Sequence, residues 1–296
     1  MNRDSFSSYH PIVNFLYFGL VLLFSMCLTH PAYLVISTVS AFIYRGRLKE
    51  AKTAVPLRFV LPMAVLAAVL NPLFNHEGAT ILGYLKSGNP LTLESMLYGI
   101  GAAVMLACVI VWFSCYNEVM TSDKFVYLFG RIIPSLSLIL SMTMRFVPRF
   151  SAQLKQVRQA QACVGRDLSD GRLWDKLRNA LTILSIMISW SLENAIETAD
   201  SMKSRAYGLP GRTAFSIYSF EERDKYALCW LGFCGIYILC GWMAGQLKFS
   251  YYPMVKAAPV SAFSVSFMII YLALCLTPVA FDVWEEKKCK HMQSGI

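Results

Sequence analysis

Six apolar runs of near-spanning length, broken once by a polar block of about a hundred residues, limit what this 296-residue chain can become. A membrane-crossing helix needs about 20 mainly apolar residues, because lipid offers the backbone no hydrogen-bond partner and only an internally bonded helix can cross singly. The runs cover residues 12–28, 32–44, 57–74, 96–116, 226–247 and 259–281. The second is short for a span. The pattern predicts an all-α polytopic membrane protein of about six transmembrane helices, with long amphipathic helices in the block between the fourth and fifth.

Composition agrees. Hydrophobic residues make up 56% and charged residues 15% of the chain, where a soluble domain carries about 25% charged residues. The mean hydropathy is +0.49. A formal charge of +9 could suggest nucleic acid, but the cations cluster beside the ends of apolar runs, as the positive-inside asymmetry of membrane proteins requires. No nucleic-acid partner is expected. The nine cysteines are scattered through or beside the apolar runs, with no two-residue spacing of a zinc or redox site, and read as small packing residues. His10, His30, His76 and His291 stand apart in sequence, so neither a metal nor another cofactor is expected on this chain. The start lacks a dibasic segment and a small-residue cleavage site, so the first apolar run is expected to be retained.

Three segments follow from these runs: N-terminal spans over 1–116, a central cytoplasmic or interfacial region over 117–225, and C-terminal spans with a short basic tail over 226–296. The loop Arg45-Gly46-Arg47-Leu48-Lys49-Glu50-Ala51-Lys52 is basic and belongs in the cytoplasm. The glycine-rich loop before Glu94 carries little positive charge and suits the outer side. Both termini are then cytoplasmic, in a multi-pass membrane protein. Stretches 132–144 and 180–190 are apolar but short, and suit re-entrant, interfacial or bundle-packed segments.

Within the central block, Phe150, Leu154, Val157, Ala160 and Val164 step by three and four, with Gln153, Lys155, Gln156, Arg158 and Gln159 on the other faces. This is an amphipathic helix of about four turns. Pro148 suits its first turn, and Gly165 and Gly171 mark its end. A second such helix runs from Leu173 to Tyr207, with Leu181, Leu184, Ile188, Leu192, Ala195, Ala199 and Met202 on its apolar face. Gly208-Leu209-Pro210-Gly211 stops it. Arg166 and Arg205 thus sit at or just beyond helix C-termini. A cation there complements the helix dipole; an arginine can equally fork onto a carboxylate of a partner. Periodicity alone leaves both readings open. Gly165-Arg-Asp-Leu-Ser-Asp-Gly171-Arg172 has the wrong glycine spacing for a phosphate loop and lacks the following Lys-Ser/Thr. The chain is not expected to hydrolyse nucleotide.

At this point the residues resemble a known family. His10-Pro11, Asn71-Pro-Leu-Phe-Asn-His-Glu-Gly78, Leu91-Thr-Leu-Glu-Ser-Met-Leu-Tyr-Gly99, Arg145-Phe-Val-Pro148 leading to Arg158-Gln-Ala-Gln161, and Leu192-Glu-Asn-Ala195 leading to Met202-Lys-Ser-Arg-Ala-Tyr-Gly208 follow one another in the order of the T component, of EcfT/CbiQ type, of energy-coupling-factor transporters. The resemblance implies a non-enzymatic subunit of an ABC importer for vitamins or transition-metal ions such as cobalt or nickel. It further implies two ABC ATPase subunits, as a homo- or heterodimer, and a substrate-binding S component as partners, with ATP used by the ATPases alone. The central helices would be coupling helices ending in Ala-Arg-Gly-like motifs that dock the ATPases. The second motif maps onto Ser204, Arg205 and Ala206, with Ala where Gly is usual. The first maps onto Val164, Gly165 and Arg166: the usual arginine column falls on Val164, and Arg166 stands two residues later. Phe150, Leu154, Leu184, Ile188 and Leu192 would hold the S component.

Two other classes compete. A polytopic enzyme acting on lipid or prenyl substrate would need surface carboxylates, for which Glu193, Glu197 and Asp200 are the candidate group; their one-sided helical spacing fits a solvated face better. A stand-alone ion-coupled transporter is disfavoured by the near absence of ionisable residues within the spans.

Overall fold

In a computed structural model the described residues are 5–48, 57–84, 90–130, 134–166, 173–207, 218–247, 249–257 and 261–293. They form helices α1 (Pro11–Cys27), α2 (Pro31–Arg47), α3 (Leu57–Phe74), α4 (Leu93–Val119), α5 (Ser122–Gly130), α6 (Pro134–Cys163), α7 (Leu173–Ser204), α8 (Glu222–Met243) and α9 (Ala262–Gln293). Two small antiparallel pairs complete the list: β1 (Ile81–Tyr84) with β2 (Pro90–Thr92), and β3 (Phe249–Ser250) with β4 (Lys256–Ala257). The all-α membrane class is therefore as the apolar runs require. By length and hydropathy α4, α8 and the stretch Ala262–Lys288 of α9 can cross a membrane, and Pro11–Cys27 and Val60–Phe74 are shorter apolar helices. The chain divides into two compact units, residues 1–125 with 218–296, and residues 126–217.

The first unit is built on α1, α2, α4, α8 and α9. Val13, Tyr17, Val21 and Phe24 recur along one face of α1 and are buried, whereas Phe15, Leu23 and Met26 on the opposite face are exposed. A helix apolar on every side has this division when its outer face meets lipid. Trp112 of α4 is the hub. Its ring lies 6.1, 6.4 and 6.3 Å from those of Tyr17, Phe18 and Tyr44, and its indole N–H donates to Ser37 Oγ at 3.0 Å. Ser37 Oγ also meets Ser25 Oγ at 2.8 Å and accepts from the Cys108 thiol at 3.2 Å. Ser25 reaches the Tyr271 hydroxyl at 3.2 Å. The knot joins α1, α2, α4 and α9 without a charge, which suits an apolar surround where each unpaired polar group is costly.

Each end of this unit is closed by backbone capping. His10 and His30, which stand apart from the other histidines in sequence, are both N-caps. Their Nδ1 atoms accept from Ile12 N at 3.3 Å and Ala32 N at 3.2 Å, each with Pro in the first helical position. At the α1 start, Asp224 accepts from His10 N at 3.0 Å and from Glu221 N at 2.9 Å, and so fixes the beginnings of α1 and α8 together. Asp282 accepts from Phe6 N at 3.1 Å, and Lys124 donates to Ser7 O at 2.6 Å. At the opposite end, Ala79 N donates to Pro253 O at 3.1 Å and the Tyr251 hydroxyl to Thr29 O at 3.0 Å. Gly78 is required there. Its φ is +148°, and a Cβ would stand 2.7 Å from Glu94 Oε2 and 2.8 Å from Thr92 Cβ. The carboxylate of Glu94 in turn accepts from Thr80 N and Thr80 Oγ1. The Asn71–Gly78 and Leu91–Gly99 stretches are thus two halves of one folded loop.

Candidate functional site

The second unit contains the coupling-helix candidates. α6 is one continuous helix from Pro134, so the expectation that a helix opens near Pro148 is corrected: Pro148 lies inside it. Proline removes one amide donor and disturbs a turn, but in membrane-associated helices neighbouring groups offset that loss. The short apolar stretch 132–144 is consequently, from residue 134, the first part of α6, and 180–190 is the middle of α7. The reading of α7 from Leu173 agrees with its observed start. Gly171 and Gly208–Gly211 lie outside the described residues.

The middle of α6 packs on the C-terminal half of α7. The rings of Phe150 and Trp190 meet edge-on at 5.5 Å, and the Arg149 guanidinium lies 5.7 Å from the Trp190 ring centre. An open cavity of about 370 Å³ adjoins this crossing, lined by Met142, Phe146 and Phe150 of α6 and by Trp190, Asn194 and Thr198 among others of α7. Of the five residues assigned to the S-component face, only Phe150 lines it. Leu154 stands about one turn further along α6 and exposed, and Leu184, Ile188 and Leu192 form a separate exposed row on α7, at 53, 52 and 63%. Trp190, Phe146 and Met142 were not singled out in sequence. The signal was present, since Met142, Phe146, Phe150 and Leu154 step by four. It was cut off by reading Pro148 as a helix start.

Both helices end in the same way. At the end of α6, Arg166 N donates to Gln161 O at 2.9 Å and Gly165 N to Ala162 O at 3.0 Å, with Gly165 at φ +78°. At the end of α7, Tyr207 N donates to Met202 O at 3.1 Å and Ala206 N to Lys203 O at 3.0 Å, with Ala206 at φ +59°. These are two Schellman closures, each turning on one left-handed residue. Matching them residue by residue puts Gly165 on Ala206, Val164 on Arg205, Cys163 on Ser204 and Arg166 on Tyr207. Glycine takes the left-handed conformation freely; alanine pays roughly 1 kcal/mol for it.

The closure has a consequence for the arginine. Backbone N–H groups already satisfy the final carbonyls of α7, and the Ser204 hydroxyl is turned back onto Ser201 O at 2.8 Å. Arg205 is exposed, and among the described residues its guanidinium has no partner. Its donors remain available to another chain. Val164 is also exposed, at 71%. Measured from the Phe150–Trp190 contact, the α6 and α7 ends each lie about 20 Å further along their helices. Glu193, Glu197 and Asp200 are all exposed on α7.

Comparison with known proteins gives the following. The family model described as cobalt transport protein, CbiQ, matches residues 10–215. The energy-coupling factor transporter transmembrane protein EcfT of Streptococcus equi subsp. equi is 29% identical over 106 residues, 36% of this chain and 39% of that protein. EcfT of Lactobacillus helveticus is 30% identical over 99 residues, 33% of this chain and 36% of that protein. EcfT of Bacillus selenitireducens is 26% identical over 220 residues, 70% of this chain and 81% of that protein. The match thus spans less than two fifths of the length of the first two relatives.

Proposed function

We infer, from the premise that this chain belongs to the CbiQ family of cobalt transport proteins, that it is the transmembrane component of an energy-coupling-factor importer. It carries no catalytic machinery of its own. ATP is bound and hydrolysed by two partner ABC ATPases, and a vitamin or transition-metal ion is captured by a separate S component. The paired ends of α6 and α7 engage the ATPases through Arg205, flanked by Ser204 and Ala206, and through Val164, Gly165 and Arg166. The exposed apolar surface of Phe150, Leu154, Leu184, Ile188 and Leu192 holds the S component in the membrane. Apolar contacts are non-directional and tolerate sliding, so such a surface can follow the ATPases as they close and open.

The observation that carries this reading is the matched closure of two long amphipathic helices, with both ends exposed and equally far from their crossing. Arg205→Ala tests it. Truncating one member of a desolvated charge pair costs about 2 kcal/mol or more, so co-purifying ATPase and substrate uptake should each fall about thirtyfold. Membrane insertion and melting temperature should stay as they are. Unchanged co-purification and uptake in the Arg166→Ala, Arg205→Ala double variant would sink the docking assignment.

A further inference from the structure

We propose that the outer face of α9 carries a seat for one anionic phospholipid, with its acyl chain along Leu276, Val279, Ala280 and Val283 and its phosphate on Lys287 and Lys288. Positions 276, 280, 283 and 287 step by four, three and four, and so share one stripe of the helix. An open groove of about 370 Å³ follows that stripe, bounded by Leu276, Val279, Ala280, Val283, Trp284 and Lys287. All six belong to α9, and among the described residues no other element lines the groove. Ala280 is exposed and makes the hollow, because its neighbours along the stripe are larger. From Leu276 to Val283 the helix rises about 10 Å, which accommodates the upper part of one acyl chain. The apolar run ends at Phe281, and Trp284 and Lys287 follow within two turns. That is the order of hydrocarbon, interface and headgroup in a leaflet.

The two lysines are uncommitted, unlike other cations of the same unit. Lys225 pairs with Glu222 at 2.7 Å, and Arg223 pairs with Glu221 at 2.9 Å and with Glu285 at 3.5 Å. Lys124 donates to Ser7 O and Val119 O. Among the described residues no carboxylate stands within ion-pair distance of Lys287 or Lys288. Glu285 is taken by Arg223, and Glu286 lies about 100° round the helix from Lys287. Lys288 is instead held 5.5 Å from the centre of the Trp284 ring, which forms one wall of the groove. Two ammonium groups thus stand at the mouth of an apolar slot with their donors unused. A second helix would pack closely only on a stripe of small residues, and Ala280 is the single small residue among the six. A phospholipid brings an acyl chain and a phosphate joined in the order of the groove and the lysines, and lysines at this depth are drawn to anionic headgroups.

The full-length protein in nanodiscs of equal parts phosphatidylglycerol and phosphatidylcholine, with matched acyl chains, would be released and its retained lipid read by native mass spectrometry. One phosphatidylglycerol should be kept in preference to phosphatidylcholine. Lys287→Gln should lower that preference about fivefold, and Lys287→Gln with Lys288→Gln about thirtyfold, while Lys287→Arg keeps it. Both lysines are exposed, so the melting temperature should not move. Ala280→Trp fills the groove and leaves both lysines in place, and should also abolish the preference. Equal retention of the two lipids, or indifference to the lysine pair, would overturn the proposal. A preference that falls with the lysines but survives Ala280→Trp would be general surface attraction, and would overturn the seat. Displacement of the lipid by inorganic phosphate alone would assign the lysines to a soluble anion instead. Ala280→p-benzoylphenylalanine, irradiated in the host membrane, should yield a lipid adduct; a polypeptide adduct in its place would give the face to another protein and overturn the lipid reading.

Discussion

The two compact units put apolar surface to opposite use. In residues 1–125 and 218–296, rings and branched side chains are turned inward around Trp112, and a polar knot and two capped ends satisfy what is buried with them. In residues 126–217 the buried apolar side chains among those described are Ile183 and Met187, while Val147, Leu184, Ile188, Leu192 and Ile196 remain more than half exposed. The first unit contains its own reasons for being folded. The second holds long helices whose apolar faces and closed tips stay exposed. Stability and coupling should therefore respond to different substitutions.

The largest effect that would break this division is expected at the hub. Trp112→Ala empties a fully buried site and removes one of the donors to Ser37, and should cost about 3 kcal/mol or more. A fall of several degrees in the melting temperature of the detergent-solubilised protein checks it. Tolerance of the change would mean that the first unit also leans on a partner. A smaller, mirror-image pair sharpens the contrast between the two helix tips. Gly165→Ala should cost about 1 kcal/mol and Ala206→Gly should gain about as much. Amide exchange would be roughly fivefold faster at residues 161–166 in the former and slower at 202–207 in the latter. Little global change in melting temperature should accompany either.

The smallest effect belongs to the first unit alone. Burial lowers the pKa of His30 from its usual 6.5, so the unfolded chain takes up the proton more readily than the folded one. Stability from His30 is then fully present above about pH 6.5 and is lost as pH falls through the lower folded value. Protonation at Nδ1 also removes the acceptor that caps α2. A melting curve of the wild type should drift downward below about pH 6.5, and His30→Asn, which keeps a cap without the titration, should flatten that drift. An unaltered drift would assign it to other groups.

What could be read in the sequence follows the range of the forces involved. Residue-to-residue hydrophobicity is local, so α3 occupies the run expected at 57–74 and α7 begins at the expected Leu173. The displaced arginine column could also be counted, from Gln161 to Val164. The backbone match of Val164 with Arg205 could not, because it is set by the left-handed conformations of Gly165 and Ala206. Pro148 misled for a related reason: proline suits the first turn of a helix and also occurs inside a long one, and the residue name does not say which applies. The link between Gly78 and Glu94, the bond from Ala79 to Pro253 and the meeting of Ser25, Ser37, Cys108 and Tyr271 join distant segments. No window along the chain contains them.

The last helix also serves as a ruler. From Ala262 to Phe281 α9 rises about 30 Å, the thickness of the hydrocarbon layer, and Asp282 follows at once, holding Phe6 N. Glu285 reaches Arg223, and Trp284 lies under Lys288 at 5.5 Å, an aromatic and cationic pair of the kind that settles at a membrane surface. The polar shelf formed by Asp282, Asp224 and Lys124 therefore registers the depth at which this unit floats. The remaining turns of α9 extend about 18 Å beyond that level.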